Sequence, residues 1–255
     1  MKKRIASVTS VLGELMLTAG VILLLFAFYE SYWTNIASGK LQDQASESLD
    51  AEWGSGEYVN PRSTSVPKLG EAFARMYVPS FGSDFHFAIV EGTADEDLLA
   101  GPGRYTDSQM PGEKGNFAVA GHRVGKGAPF NDLGKLETCD AIVVETKTQW
   151  ITYRVLPIDG GTAGAEGCLT PEQQAKLTAE YAGVQGRTIT TPGDVGVIAP
   201  VPGTEVSVAE ASEGLMTLTT CHPQFSNAER MIIHAMEVSA EPKNDTTRPA
   251  VLEES

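Results

Sequence analysis

Apolar and polar positions divide the 255-residue chain into four unequal stretches. Between Val11 and Trp33 the charges are Glu14 and Glu30, and Leu15–Tyr29 carries none. As a helix these 23 residues would reach about 34 Å at 1.5 Å per residue, enough for a hydrocarbon core of about 30 Å. Tyr29, Tyr32 and Trp33 suit the interfacial belt at its far end. Lys2, Lys3 and Arg4, in the basic flank 1–10, predict a cytoplasmic N-terminus. No small-x-small site follows Phe26 ahead of the aromatic cluster, so a retained signal anchor over 11–33 is expected in preference to a cleaved signal. That expectation makes the protein single-pass in the plasma membrane, with everything after Trp33 outside. Residues 34–74 are rich in Ser, Glu, Asp, Gly and Pro with little periodicity and read as an extracellular spacer; 239–255 read as a flexible tail.

Between spacer and tail, 75–238 has the texture of a mainly β domain. Short runs of β-branched and aromatic residues are separated by Gly, Pro and Asp. They are Met76–Val78, Phe85–Glu91, Asn116–Ala120, Ala141–Thr146, Trp150–Leu156, Val195–Ala199, Leu215–Cys221 and Met231–Val238, with Arg187–Thr191 as a further piece. Ile151, Tyr153 and Val155 alternate with Thr152 and Arg154, the period of a half-buried strand. This pattern predicts a barrel or sandwich with a few short helices. One helix is well signalled over 172–181: Thr170 as N-cap, Pro171 at the first position and Gln173 two further on form a capping box. It falls within 159–186, which reads as an insertion between strands.

Composition narrows the function. Nineteen basic against 33 acidic residues give a net charge of −14, which argues against a nucleic-acid partner, since phosphates require a basic footprint. Cys221 ends the run Leu215–Cys221, with Pro223 stopping the strand just beyond, where a loop-lined groove would lie. His122 closes the run Asn116–Ala120 and opens a flexible loop, 122–127. His222 should face away from any groove that Cys221 faces, because successive strand side chains point to opposite sides. His86 and His234 sit among apolar neighbours inside strands and read as structural or surface residues. A thiol and an imidazole at two strand ends suit nucleophilic catalysis. Arg230 opens the last strand nine residues after Cys221, so a hairpin would return it beside the sulfur as an oxyanion donor. Asp95-Glu96-Asp97 lacks regular ligand spacing, and Cys221, His122 and His222 do not complete a four-ligand zinc set. Neither metal nor other cofactor is expected.

Thr217-Leu218-Thr219-Thr220-Cys221 is similar to the Thr-Leu-x-Thr-Cys motif of the sortases, membrane-anchored cysteine transpeptidases of Gram-positive bacteria. Ala120-Gly121-His122 resembles the segment bearing their histidine, and Arg230 falls where their arginine belongs. The stretch 115–123, the sequence Gly127-Ala128-Pro129-Phe130 and Cys221-His222-Pro223 look most like class E. The resemblance implies a closed eight-stranded β-barrel. It further implies that Cys221 attacks the Thr–Gly bond of a C-terminal sorting signal, of the Leu-Ala-x-Thr-Gly type. His122 would protonate the departing amine, Arg230 would hold substrate or oxyanion, and a cell-wall peptide or pilin lysine amine would resolve the thioester. Thr220 and Tyr105 would contact substrate, Tyr105 at the position linked to Ala over Pro in the motif. With Cys221 reserved as the free thiol, Cys139 and Cys168 are left to pair in an oxidising compartment, which would pin 159–186 to the barrel. Three rivals stay open: a pilin-polymerising sortase of another class, an anchored non-catalytic binding module and a plain cysteine hydrolase.

Overall fold

The computed structural model describes residues 8–54, 66–244 and 248–254. The basic flank at 1–7, part of the spacer at 55–65, and 245–247 and 255 of the tail lie outside the described residues. Nine strands form: β1 (Ala72–Tyr77), β2 (His86–Glu91), β3 (Gly103–Arg104), β4 (Gly115–Ala120), β5 (Ala141–Glu145), β6 (Gln149–Val155), β7 (Arg187–Thr190), β8 (Gly214–His222) and β9 (Glu229–Pro242). Their order is β6-β5-β1-β2-β3-β4-β8-β9, and β6 pairs back onto β9, so eight strands close a barrel. Closure leaves no open edge in the ring. β7 takes the remaining length of the β9 edge that β6 uses further along, pairing Thr190 with Arg230 while β6 pairs Val155 with Ala235. The interior is filled by inward-facing residues including Met76, Ile89, Phe117, Ile142, Ile151, Tyr153 and Ile233, all fully buried. A chain of buried polar groups crosses it: His234 Nδ1 and Thr217 Oγ1 are 2.8 Å apart, and Thr217 Oγ1 donates to Asn116 Oδ1 at 2.8 Å. With its one proton committed to Asn116, Thr217 accepts from His234, which fixes the proton on Nδ1.

The anchor region differs from the spacer expectation. α1 (Val8–Phe28) is apolar and long enough to cross a membrane, with no buried residue. A π-helical turn, Tyr29–Trp33, continues it into a second helix, α2 (Thr34–Gly54). Residues 34–54 are therefore helical, not irregular, and α2 lies along β1, β2 and a short helix α3 (Asp95–Ala100). Its covered positions include Thr34, Ser38, Gln42, Ala45, Leu49 and Trp53. The spacing is helical but the first three are polar, so hydropathy carries no sign of the stripe. Ala45, Leu49 and Trp53 pack with Ala72, Ala88 and Val90. Arg75 ties the far end down by donating to Asp50 at 2.7 Å, and the Lys243 ammonium lies 3.7 Å from the Trp53 ring centre. The tail expectation also changes, because β9 runs on to Pro242 by pairing with Gln149–Thr152.

Val195–Ala199, expected as a strand, contains a 3-10 turn, Val195–Ile198. Pro192, Pro200 and Pro202 flank it and lack the N–H groups a ladder needs. Asn116 Nδ2 instead donates to the Ala199 carbonyl at 3.0 Å. β3 went unread because two residues carry no periodicity. The 159–186 stretch contains α4 (Pro171–Leu177), whose capping box forms: Gln173 N–H donates to Thr170 Oγ1 at 3.2 Å and Thr170 N–H to Gln173 Oε1 at 3.1 Å. The helix stops at Leu177, shorter than the 172–181 expected, and turns follow to Tyr181. Leu169, Leu177, Tyr181 and Val184 pack with Leu156, Leu215 and Met236 as a second apolar cluster. Cys139 and Cys168 are disulfide-bonded, with Cα atoms 5.7 Å apart.

Candidate active site

The site is built where β4, β8 and β9 end together. β4 and β8 are parallel, with Ala120 beside Thr219. Beyond the ladder, Gly121 N–H donates to the Thr219 carbonyl at 3.1 Å, and Thr220 Oγ1 donates to the Gly121 carbonyl at 2.7 Å. His122 and Cys221 are the next residues on the two chains. On the other side of β8, Arg230 of β9 stands directly opposite Cys221 in the antiparallel register. The three residues singled out in the sequence thus come to neighbouring strand ends, although 108 positions separate the first from the last.

Cys221 is the free cysteine, partly exposed, and its thiol points to Asn227 Oδ1 at 3.4 Å. Arg230 Nη1 donates to the carbonyls of Glu229, the first residue of β9, at 3.0 Å and of Asn227, on the loop before it, at 3.4 Å. Both bonds lie in an exposed setting. His122 is half-buried, and its Nε2 has no hydrogen-bond partner among the described residues. Burial lowers its pKa below the usual histidine value, Lys126 adds to the shift by repulsion, and Asp95 opposes it. The imidazole is therefore neutral at neutral pH, able to take a proton first and return it later.

Two groups at the site went unrecognised in the sequence. Arg123 reaches across from the His122 side and donates Nη1 to the Cys221 carbonyl at 3.2 Å and to His222 Nδ1 at 2.6 Å. A guanidinium only donates, so His222 carries its proton on Nε2. The sole sequence signal was its adjacency to His122. Asn227, the partner of the thiol, had none. His222 bonds Arg123 and leaves the sulfur to others. His86 is exposed at the start of β2, bonded to the Asp84 carbonyl at 3.0 Å, and His234 is the buried partner of Thr217.

A groove opens beside Arg230, lined by Tyr105, Thr219, Val195, Val197 and Ile198 among others. Tyr105 is fixed there by its hydroxyl, 2.9 Å from Thr219 Oγ1. Thr219 and Cys221 share a face of β8; Thr220 takes the other, 3% exposed and bonded to Gly121. Thr220 Oγ1 thus ties the His122 strand end to β8, and Thr219, with Thr190 and Thr191, lines the groove.

A family profile described as the sortase domain matches residues 76–238. The chain is 31% identical to the sortase SrtE1 of Streptomyces coelicolor over 91% of its own length, spanning 58% of that protein. It is also 31% identical to SrtE2 of the same organism, over 97% of this chain and 89% of SrtE2. Among solved structures, the SrtF sortase of Corynebacterium diphtheriae is 63% identical, with a TM-score of 0.73 over 78% of this chain and all of that one. Sortase E of Streptomyces avermitilis is 34% identical, with a TM-score of 0.53 over 72% of this chain and 99% of the other. An eight-stranded closed barrel, a Thr-Leu-Thr-Thr-Cys strand end and these likenesses agree, and the chain belongs to the sortase family.

Proposed function

We propose that this chain is a membrane-anchored cysteine transpeptidase that opens a sorting signal of the Leu-Ala-x-Thr-Gly type between Thr and Gly and passes the acyl group to a cell-wall amine. The observation that carries this reading is the juxtaposition of Cys221 and Arg230 across one β-ladder, with the His122 strand end bonded to the same strand.

In the proposed reaction, His122 takes the thiol proton as the Cys221 sulfur attacks the threonyl carbonyl carbon. The carbonyl electron pair moves onto oxygen, and the Arg230 guanidinium turns from the Glu229 and Asn227 carbonyls to receive that charge. Collapse of the adduct reforms the carbonyl and breaks the C–N bond. The departing glycyl nitrogen collects the proton from His122, leaving a thioester on Cys221. An incoming amine attacks the thioester, gives a proton to His122 and releases the sulfur, which recovers that proton. The signal would lie in the groove lined by Tyr105, Val195 and Ile198. With the N-terminus inside, α1 would hold this site on the outer face of the plasma membrane, near protein substrates and wall amines.

Incubation of the full chain with Leu-Ala-x-Thr-Gly and Leu-Pro-x-Thr-Gly peptides plus triglycine, read by mass, tests the proposal. Wild type should form the triglycine adduct, preferentially with the alanine peptide, and Cys221→Ala should form none. A hydrolysed peptide with no adduct would identify a cysteine hydrolase and overturn the transfer step.

A further inference from the structure

We propose that Asn35 and Gln42 of α2 are positioning residues for His122, clamping the Lys126–Gly127 turn of its loop from the end of the membrane-anchor helix. The inference rests on the assignment of His122 to the reaction. Gly127 N–H donates to Asn35 Oδ1 at 3.0 Å, and Gln42 Nε2 donates to the Lys126 carbonyl at 3.3 Å. Lys126 N–H is also 3.5 Å from Thr34 Oγ1. The contact is close enough that a Cβ placed on Gly127 would lie 2.2 Å from Gln42 Nε2.

The loop has reason to need an external hold. Residues 125 to 128 all have positive φ, at 64°, 54°, 79° and 40°, and two of them, Lys126 and Ala128, are not glycine. For such residues the left-handed region crowds Cβ against the following carbonyl, so it persists only where surrounding contacts enforce it. After this turn the chain comes straight back to the catalytic residue, since Phe130 N–H donates to the His122 carbonyl at 3.0 Å. A displacement of Lys126–Gly127 is thereby transmitted to His122 through the segment 122–130, which that bond closes. The imidazole Nε2 makes no hydrogen bond of its own among the described residues, so its place depends on the loop that carries it.

α2 is suited to the task because it is fixed at both ends. Thr34 and Gln42 on its covered side face the His122 loop, while Leu49 is fully buried and Arg75 grips Asp50 beyond it. The polar face makes sense as a loop-binding surface: packing onto backbone amides and carbonyls requires hydrogen-bonding side chains where packing onto β1 and β2 requires apolar ones.

The test uses the full chain in detergent micelles or nanodiscs, with the Leu-Ala-x-Thr-Gly peptide and triglycine. Asn35→Leu/Gln42→Leu should lower kcat at least tenfold with KM within twofold and an unfolding temperature near wild type. Asn35→Asp, which keeps the accepting oxygen, should retain most of kcat, and Gln44→Leu on the exposed outer face controls for the apolar substitution. Amide exchange over 122–130, read without turnover, should accelerate in the double variant. Unchanged kcat and unchanged exchange overturn the clamp, as does a tenfold loss of kcat in Asn35→Asp, which keeps the oxygen that accepts from Gly127. A wild-type enzyme that forms no adduct overturns the transpeptidase reading instead, and the exchange measurement still judges the clamp.

Discussion

Removing the Cys139–Cys168 bridge by Cys139→Ser/Cys168→Ser perturbs one covalent link and little else. Serine inherits the left-handed backbone at position 139, where φ is 74°, so that conformational cost is common to both proteins. The bridge closes a loop with a sequence separation of 29 that contains β5, β6 and the start of the 159–186 stretch. Chain-entropy arithmetic for this separation gives roughly 12 cal/mol/K, or about 3.6 kcal/mol at 25 °C, lost from the folded state's advantage. At roughly 2–4 °C per kcal/mol for a domain of this size, the unfolding midpoint should fall by about 7–14 °C. Calorimetry on the oxidised wild type, the reduced wild type and the double variant measures it, and the last two should agree. Alkylation of denatured protein supplies the companion count: one label on Cys221 before reduction and three after. A midpoint shift below about 2 °C, or three labels before reduction, would refute the reasoning.

Other consequences are equally direct. Arg230→Ala should leave a folded enzyme whose kcat falls by about 10²–10³, the usual cost of one oxyanion donor; a rate within threefold of wild type would exclude that role. Because Lys126 repels the charged form of His122 and Asp95 favours it, Lys126→Asn should raise the His122 pKa and move the acid limb of kcat/KM to higher pH. Asp95→Asn should move that limb to lower pH, and shifts of the same sign in both variants would remove the assignment. His234 is fully buried and its pKa is lowered to about 4, so the unfolded chain binds a proton that the folded one resists. Its contribution is complete above about pH 6.5 and is lost as pH falls towards 4, by about 3 kcal/mol at 1.36 kcal/mol per unit. Denaturant titrations from pH 7 to 4 should show a shallower decline for His234→Asn, and identical slopes would refute the account.

That Cys221, His122 and Arg230 come to neighbouring strand ends was legible because each sits at a strand end that announces itself. Cys221 closes an apolar run, His122 closes another, and Arg230 begins the strand that returns from the hairpin. The capping box at Thr170 was legible for the same local reason. What escaped depends on contacts made at a distance. α2 hides because its inward stripe begins Thr34, Ser38, Gln42, and the first and last of these polar residues meet the Lys126 backbone far along the chain. The prolines around Val195–Ala199 were visible, yet an apolar run outweighed them, and only the Asn116 side chain shows how that segment's carbonyl is satisfied. Arg123, adjacent to His122 in the chain, braces the two strand ends by its reach to the Cys221 carbonyl.

The unbroken passage from α1 through Tyr29–Trp33 into α2 has a mechanical consequence. Phe28 and Thr34 are both right-handed helical, so the join transmits orientation as a stiff shaft would, without a swivel. Asn35 lies seven residues past Phe28, roughly 10 Å along the axis at 1.5 Å per residue, which is little more than the depth of a headgroup layer. Seated in a bilayer, such a shaft sets a working height: the histidine loop would skim the lipid surface, and a scissile bond would meet it in that thin layer alone.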